Sequence, residues 1–175
     1  GSRSYLAPLS ASFADNIHLN ADISAVTREN NQVQLHFASG EIQTFDEVVL
    51  ACHSDQALAL LGDASEQEQN ILGAIPYSDN SVVLHTDISL LPKRQKAWAS
   101  WNYQLTSNRT KPASVTYNMN ILQGLNSEHT FCVTLNQRED IDPSKVLREF
   151  TYHHPVFSIA SIEAQRQRIQ ICGQQ

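Results

Sequence analysis

Glycine is scarce in this chain, and its spacing excludes one common kind of nucleotide site. The sequence holds only six glycines among 175 residues, and no two of them are closer than eleven residues. A Gly-x-Gly-x-x-Gly turn uses its backbone N–H groups to hold a pyrophosphate at the start of a helix. That turn cannot be built from this sequence.

Other shortages narrow the class of protein. The net charge is −6 and the few basic residues are scattered, which argues against a nucleic-acid partner because phosphate binding needs clustered Lys and Arg. No apolar run is long enough to predict a transmembrane helix, and the N-terminus lacks the pattern of a signal peptide. Three widely spaced cysteines suit a reducing cytosol better than a disulfide framework, so we expect a cytoplasmic protein.

The hydrophobic periodicity predicts an α+β protein, with an antiparallel or mixed sheet and flanking helices. Helices are expected over residues 2–14, 54–61, 65–73 and 159–171, with a helical turn from Asp142 to Phe150 and an apolar stripe through Ile162 and Ile169 on the last helix. Strands are expected over residues 17–19, 23–27, 33–37, 42–45, 47–52, 81–86, 98–103, 115–119 and 131–135. The early strands are expected to share a small core with the first helix, built from Leu6, Leu9, Ile23, Val33, Leu35 and Val48.

The most informative stretch runs from Phe45 to Ala57. The apolar run Val48-Val49-Leu50-Ala51 predicts a strand buried on both faces, which breaks into Cys52-His53-Ser54-Asp55 before a leucine-rich helix capped by Ser54 or Asp55. A buried strand followed by a polar loop and a helix is how α/β sheets present groups to a ligand. This stretch therefore predicts a ligand-facing edge.

The order of these segments resembles that of the flavin-containing amine oxidase superfamily, and most closely its bacterial branch of NAD/FAD-binding oxidoreductases. The resemblance covers essentially the whole chain. The matching segments are Gly1-Ser2-Arg3-Ser4-Tyr5, Ile23, Phe45 to Ala51, Asp55-Gln56-Ala57-Leu58, Leu84-His85-Thr86-Asp87, Ala99-Ser100-Trp101-Asn102-Tyr103, Asn118-Met119-Asn120 and Tyr152-His153-His154-Pro155-Val156-Phe157.

The resemblance implies that the chain is an internal fragment of a two-dinucleotide-binding-type flavoprotein. Residues 1–52 would be a remnant of the FAD-binding domain, with helix and β-meander, and residues 53–175 would be the substrate-binding domain. The parent would be an FAD-dependent oxidoreductase acting on a small molecule, with an amine as one candidate. This fragment, lacking the Gly-rich turn, is expected to hold no FAD and to be inactive alone.

The resemblance also implies which residues meet the ligands. Gly1, Ser2, Ile23, Ala51 and His53 would contact FAD. His53 is also the one candidate catalytic residue, since an imidazole titrates near neutral pH. Trp101, Tyr103 and Asn118 would line a concave substrate surface on a separate cluster of strands.

Several alternatives stay open at this point. A non-catalytic α+β module that binds a ligand or a partner protein is the main one, and a thiol enzyme built on Cys52 and His53 is another. Ser54, His53 and Asp55 cannot form a hydrolase triad because its three side chains must converge from separate elements. The adjacent residues His153 and His154 point to opposite faces of an extended chain, so no metal site is expected.

Overall fold

The computed structural model of the protein describes residues 3–104 and 114–173. These residues form two compact units, one of residues 78–154 and one of residues 3–77 together with 155–173. One sheet has three strands and the other has five, and helices flank them. The α+β class with antiparallel sheets is therefore confirmed. The boundary expected between residues 52 and 53 concerns ligand-binding roles, which this division does not test, and it stays a prediction.

The three-stranded sheet is an antiparallel meander of β1 (Ile23–Glu29), β2 (Gln32–Phe37) and β3 (Ile42–Phe45), as the alternation predicted. Its first turn is the pair Asn30-Asn31, with φ of 53° and 59°. Two consecutive left-handed residues match a two-residue type I′ hairpin, whose twist suits the flanking strands. Asparagine tolerates this backbone region, so the turn is encoded locally.

Two predicted helices pack beside this sheet. They are α2 (Ser54–Leu60) and α3 (Glu66–Gly73), and Ser65 and Glu68 form the capping box that opens α3. Where α2 ends, the Gly62 N–H donates to the Val26 carbonyl of β1 at 2.9 Å. A Cβ at Gly62 would come within 3.1 Å of the Thr27 side chain, so this close approach favours glycine. The core of the unit includes Val26, Val33, Ala57 and Ile71.

The N-terminal helix is shorter and more exposed than predicted. The helix α1 (Arg3–Ser10) continues as a 3-10 turn over Ala11–Asn16, and no strand forms over residues 17–19. Leu6 and Leu9 lie exposed. Our expectation that they share a core with Ile23, Val33, Leu35 and Val48 is therefore wrong in part, since of these six only Val33 is buried.

The expected buried strand over residues 47–52 is also absent. The segment is irregular, and the Val49 side chain is 87% exposed. A strand buried on both faces needs neighbouring strands and a layer above and below it. Among the described residues no strand pairs with this segment, and so its apolar side chains remain at the surface.

The second sheet contains the four strands predicted for the later half of the chain and one further strand, at residues 146–155. They are β4 (Tyr77–His85), β5 (Trp101–Gln104), β6 (Ser114–Asn118), β7 (Cys132–Leu135) and β8 (Val146–Pro155), in the order β5-β6-β7-β4-β8. A short helix, α4 (Met119–Gln123), follows β6 and ends at the left-handed Gly124. The separation of the early meander from these strands into two sheets was expected.

Two predictions near the C-terminus need correction. The helical turn expected from Asp142 to Phe150 is only a 3-10 turn over Pro143–Lys145, after which the chain enters β8, because its alternating aromatic residues pair with β4. The final helix is α5 (Ile159–Gln167), and a 3-10 turn follows over Arg168–Gln170. Its buried residues are Ser161 and Ala164, whereas the predicted stripe through Ile162 and Ile169 is exposed.

Candidate functional site

The five-stranded sheet has one apolar and one polar face, and the strand register decides which residues lie on each. Residues paired directly across antiparallel strands point to the same face. The apolar side, called the aromatic face below, therefore contains two rows across β5, β6, β7 and β4: Trp101, Tyr117, Val133 and Leu84 in the first, and Tyr103, Val115, Leu135 and Val82 in the second.

The aromatic side chains of this face are open to solvent. Trp101 and Tyr103 are 66% and 61% exposed, although both are large apolar residues. The ring of Trp101 meets that of Tyr117 edge-on, with centroids 5.4 Å apart. Such a contact fixes the indole while leaving one of its faces free for a ligand. The structure thus brings Trp101 and Tyr103 together as predicted, and their role in substrate binding stays a prediction.

Strand β8 continues the aromatic face at the edge of the sheet. His153 contacts Asp79 of β4 at 2.6 Å, and Glu149 contacts Arg138 of the loop after β7 at 2.6 Å. That loop covers the polar face, which is the side of the sheet opposite the aromatic face. Glu149 and His153 therefore point to the polar face. Because side chains alternate along a strand, the even-numbered residues of β8 point to the aromatic face. The even-numbered residues are Arg148, Phe150, Tyr152 and His154.

These four side chains form a ladder along the strand. The rings of Phe150 and Tyr152 stack with centroids 5.7 Å apart, and the guanidinium of Arg148 lies 5.1 Å from the centre of the Phe150 ring. Tyr152 also meets the ring of His154 edge-on. Cation–π and aromatic contacts of this kind order side chains that would otherwise be mobile at an edge.

The polar face carries a buried hydrogen-bonded chain. The Asp87 N–H donates to Nδ1 of His85 at 3.1 Å, so this nitrogen accepts and Nε2 carries the proton. Nε2 lies 2.8 Å from Oγ1 of Thr134, which in turn lies 2.8 Å from Oγ1 of Thr116. Burial lowers the pKa of His85, which is held neutral with both nitrogens occupied. The chain stabilises the sheet and presents no free group to a ligand.

Asp87 anchors the loop beneath the polar face. Its carboxylate accepts from the N–H groups of Ser89 and Asp142 at 3.1 and 2.9 Å, and from the Lys145 ammonium at 3.3 Å. Burial alone would raise the pKa of Asp87, but these hydrogen bonds outweigh burial and lower the pKa to about 2. A buried, fully bonded carboxylate in this position serves structure.

Asn118 lies on the polar face, apart from the two aromatic residues that were expected beside it. It is paired with Cys132 and lies one residue beyond Tyr117, so its side chain points away from the aromatic face. Its carboxamide oxygen accepts from the Ile121 N–H at 3.2 Å and caps α4. The expectation that Asn118 lines one surface with Trp101 and Tyr103 is therefore wrong.

The described residues that the resemblance assigns to FAD, Ile23, Ala51 and His53, lie in the other unit. Gly1 and Ser2 lie outside the described residues, while Ile23 and Ala51 are exposed at the start of β1 and in the irregular segment before α2. His53 precedes α2; its N–H donates to the Gln56 side chain, and its ring stacks on that of Tyr77 with centroids 4.3 Å apart. The N-cap of α2 is thus His53, and the expectation that Ser54 or Asp55 caps the helix is wrong because both lie inside its first turn.

These groups meet only part of what FAD requires. An exposed isoleucine, an alanine and an imidazole can contact adenine or isoalloxazine, but a pyrophosphate needs a cradle of backbone N–H groups. Across residues 3–104 and 114–173, the glycine spacing leaves no turn of the required kind. The described residues therefore do not fit the whole of FAD.

An ionic cluster that the sequence did not reveal lies in the same unit. Arg28 binds both oxygens of Glu68 at 2.6 and 2.9 Å, and both oxygens of Asp63 at 3.0 and 3.1 Å. Hydrogen bonds from Arg28, aided by Ser65, lower the pKa of Glu68 to about 2. The cluster joins β1 to the start of α3. No local pattern in the sequence indicates this cluster, because Arg28 is 35 residues from Asp63 and 40 residues from Glu68 along the chain.

A metal site and a membrane-spanning helix are both absent from the described residues. Among the residues that the structure describes, no group of three His, Cys, Asp or Glu side chains is placed to hold a metal ion. In that same part of the chain, no helix has the length and apolar character needed to cross a bilayer.

Comparison with known proteins finds similarity only among solved structures. No family model and no curated protein sequence matches the chain. Among solved structures, the fold is similar to a CLA-producing fatty acid isomerase from P. acnes, with a TM-score of 0.49 and 18% identity. The match covers 77% of this chain and 35% of that enzyme, so the chain spans about a third of its length. Similarity at this level says nothing about function.

Proposed function

We propose that the chain is mainly the substrate-binding part of an FAD-dependent, amine oxidase-like oxidoreductase, and that the aromatic face receives the substrate. The flavin would supply the redox chemistry: a hydride would pass to it from a C–H bond of the substrate, and a proton would be lost from the neighbouring atom, as a C–N or C–C single bond becomes a double bond. The residues of this chain hold the substrate and exclude water from it.

The observation that carries the proposal is the open aromatic face. Large exposed apolar patches on a folded unit mark binding surfaces, and here Trp101, Tyr103, Phe150 and Tyr152 lie on one face of a single sheet. The hydrogen-bonded chain on the polar face makes the sheet rigid, because each of its groups has a partner. A rigid sheet favours a binding site that is already formed before the ligand arrives. The sequence resemblance supplies the flavin part of the proposal.

The second candidate is a non-catalytic ligand- or partner-binding module. The exposure of the aromatic residues favours binding of some kind and does not by itself call for a flavin. The two candidates differ in one property, since only the first requires a flavin in the protein encoded by the complete gene.

The decisive experiment uses that complete protein. We expect a flavin absorbance band that is bleached when an aromatic amine such as benzylamine is added without oxygen. In Trp101→Ala we expect unchanged FAD content and a KM raised roughly tenfold, which corresponds to about 1.4 kcal/mol of lost contact. A protein without flavin would contradict the oxidoreductase proposal, and FAD loss in Trp101→Ala would contradict the role of the aromatic face.

A binding measurement on the present chain tests the role of the aromatic face independently of the flavin. Trp98→Phe leaves Trp101 as the one tryptophan, whereas Trp101→Phe leaves Trp98, whose indole N–H is bonded to the Pro92 carbonyl. We expect benzylamine to change the fluorescence saturably in Trp98→Phe and not in Trp101→Phe. Equal responses in the two variants would contradict binding on the aromatic face.

A further inference from the structure

Strand β8 is a long, open edge. It has ten residues, it ends the five-stranded sheet, and all its side chains except Val146 and Phe150 are exposed. In the opposite edge strand, β5, the structure describes four residues, Trp101–Gln104. An edge strand presents a row of unpaired N–H and C=O groups, which is a template for another strand.

The register of the sheet shows which backbone groups of β8 are free. The Asn136 N–H donates to the Ser81 carbonyl, so the odd-numbered residues of β4 bond towards β7 and the even-numbered ones towards β8. Contacts between Asp79 and His153 at one end, and between Thr86 and Lys145 at the other, show that β4 and β8 run antiparallel.

The Asp79–His153 contact places even-numbered residues of β8 beside even-numbered residues of β4. From Arg148 onwards those residues bond inward, so the backbone groups of Glu149, Thr151 and His153 point outward. The N–H of Val156, just after the strand, donates to the Pro76 carbonyl at 2.8 Å, in agreement with this assignment. At the other end the Thr86 N–H donates to the carbonyl of the odd-numbered Lys145, so the register shifts by one residue between Lys145 and Arg148.

We propose that β8 pairs antiparallel with β8 of a second copy of this chain, with Thr151 of each copy on the two-fold axis. In this register Thr151 meets Thr151, Glu149 meets His153, and Phe150 meets Tyr152 of the second copy. The outward-pointing residues then exchange backbone hydrogen bonds, and the aromatic pairs lie at the closer, non-hydrogen-bonded positions, where side chains touch best.

Complementary hydrogen-bonding side chains favour this register. Arg138 already binds Glu149, and Asp79 already binds His153. Pairing about Thr151 joins the two pairs into a row in which donors and acceptors alternate: Arg138, Glu149, then His153 and Asp79 of the second copy. A shift of the axis to Phe150 would instead place Glu149 against Thr151 and Leu147 against His153, which loses the contact between Glu149 and His153. Lysine, which often protects an edge strand, is absent from β8.

The contact is small, because one strand pair buries less than the roughly 1,600 Å² of a standard interface. Dimer formation should therefore depend on concentration in the micromolar to millimolar range. We expect sedimentation equilibrium of the whole chain to show a monomer–dimer equilibrium. Thr151→Pro should abolish it without changing the circular dichroism spectrum, since it removes an outward N–H that β4 does not use. Thr151→Ala is the matched control and should still dimerise.

Disulfide trapping tests the axis independently of Thr151→Pro. With Cys52 and Cys172 replaced by serine, Thr151→Cys should form a covalent dimer on oxidation, because paired Cα atoms about 5.5 Å apart lie within disulfide range. Glu149→Cys should not, since its symmetry mate would lie roughly 13 Å away. A chain that is monomeric at every concentration, or equal trapping by the two cysteine variants, would overturn the proposal.

Discussion

Replacing Arg28 by methionine should destabilise the unit of residues 3–77 and 155–173 by about 3 kcal/mol. Arg28 neutralises Glu68, whose side chain is only 8% exposed, and lies between that residue and Asp63. Removing one partner of a buried pair leaves an uncompensated charge, which costs about 3–5 kcal/mol. Lowering the pKa of Glu68 from 4.5 to about 2 corresponds to roughly 3 kcal/mol at neutral pH, of which Arg28 supplies the largest share and Ser65 a smaller one.

The sign of the pH dependence follows from that pKa. A carboxyl whose pKa is lower in the folded state contributes stability that is complete above about pH 4.5 and is lost as the pH falls towards 2. The difference between the wild type and Arg28→Met should therefore be largest at neutral pH and should shrink across that window. The double variant Arg28→Met/Glu68→Gln should recover part of the loss, because it removes the unpaired charge.

Hydrogen exchange of the β1, β2 and α3 amides in a urea series measures this effect in the affected unit. Both tryptophans belong to residues 78–154, so the fluorescence transition of that unit should be unchanged. Arg138→Met is the matched control: its ion pair with Glu149 is equally short but exposed, and its loss should cost less than about 1 kcal/mol. Equal losses in the two variants, or a difference that persists at pH 2, would refute the reasoning.

Three further predictions concern the cofactor, the buried histidine and the buried amide. Because it lacks a pyrophosphate cradle, the purified chain should be colourless and should not retain FAD on dialysis; a flavin absorbance band that survives dialysis would contradict this. The pKa of His85 is lowered by burial, so stability of residues 78–154 should fall as the pH drops below about 6.5, and less so in His85→Gln; the exposed His129→Gln should behave like wild type in tryptophan-monitored unfolding. Asn118→Ala should cost about 2 kcal/mol through the lost cap and buried bond, whereas Tyr103→Ala should cost under about 0.5 kcal/mol; similar urea midpoints would contradict the placement of Asn118.

Features encoded within a few residues could be predicted from the sequence. The Ser65–Glu68 capping box places α3, and the pair Asn30-Asn31 is competent for the left-handed turn of the hairpin. Trp101 and Tyr103 share a face because side chains of a strand alternate. Each of these features depends on backbone geometry that nearby residues determine.

Features that depend on distant neighbours could not be predicted. The apolar run at Val48 and Val49 is compatible with a buried strand, but burial requires partner strands, and none pairs with it among the described residues. Before β8 the local signal and the final structure also differ. Asp142-Pro143 is a good start for a helix, but the chain pairs with β4 as a strand instead. The position of Asn118 depended on the register between β5 and β6, which no local pattern reports.

The division of the five-stranded sheet into two faces limits what its own residues can do chemically. His85 cannot serve a ligand on the aromatic face, because it lies on the opposite side and both its nitrogens are engaged. Asp87 is likewise committed to backbone N–H groups and Lys145. On the described part of the aromatic face, the groups that can carry charge are Arg148, His154 and the tyrosine hydroxyls, all near its outer strands. A ligand held over Trp101 would thus meet apolar surface and ring edges. If the proposed oxidoreductase function holds, the group that accepts the electrons would have to come from outside this face. A flavin supplied by another part of the protein meets that requirement, which is why the test on the complete gene product decides between an oxidoreductase and a binding module.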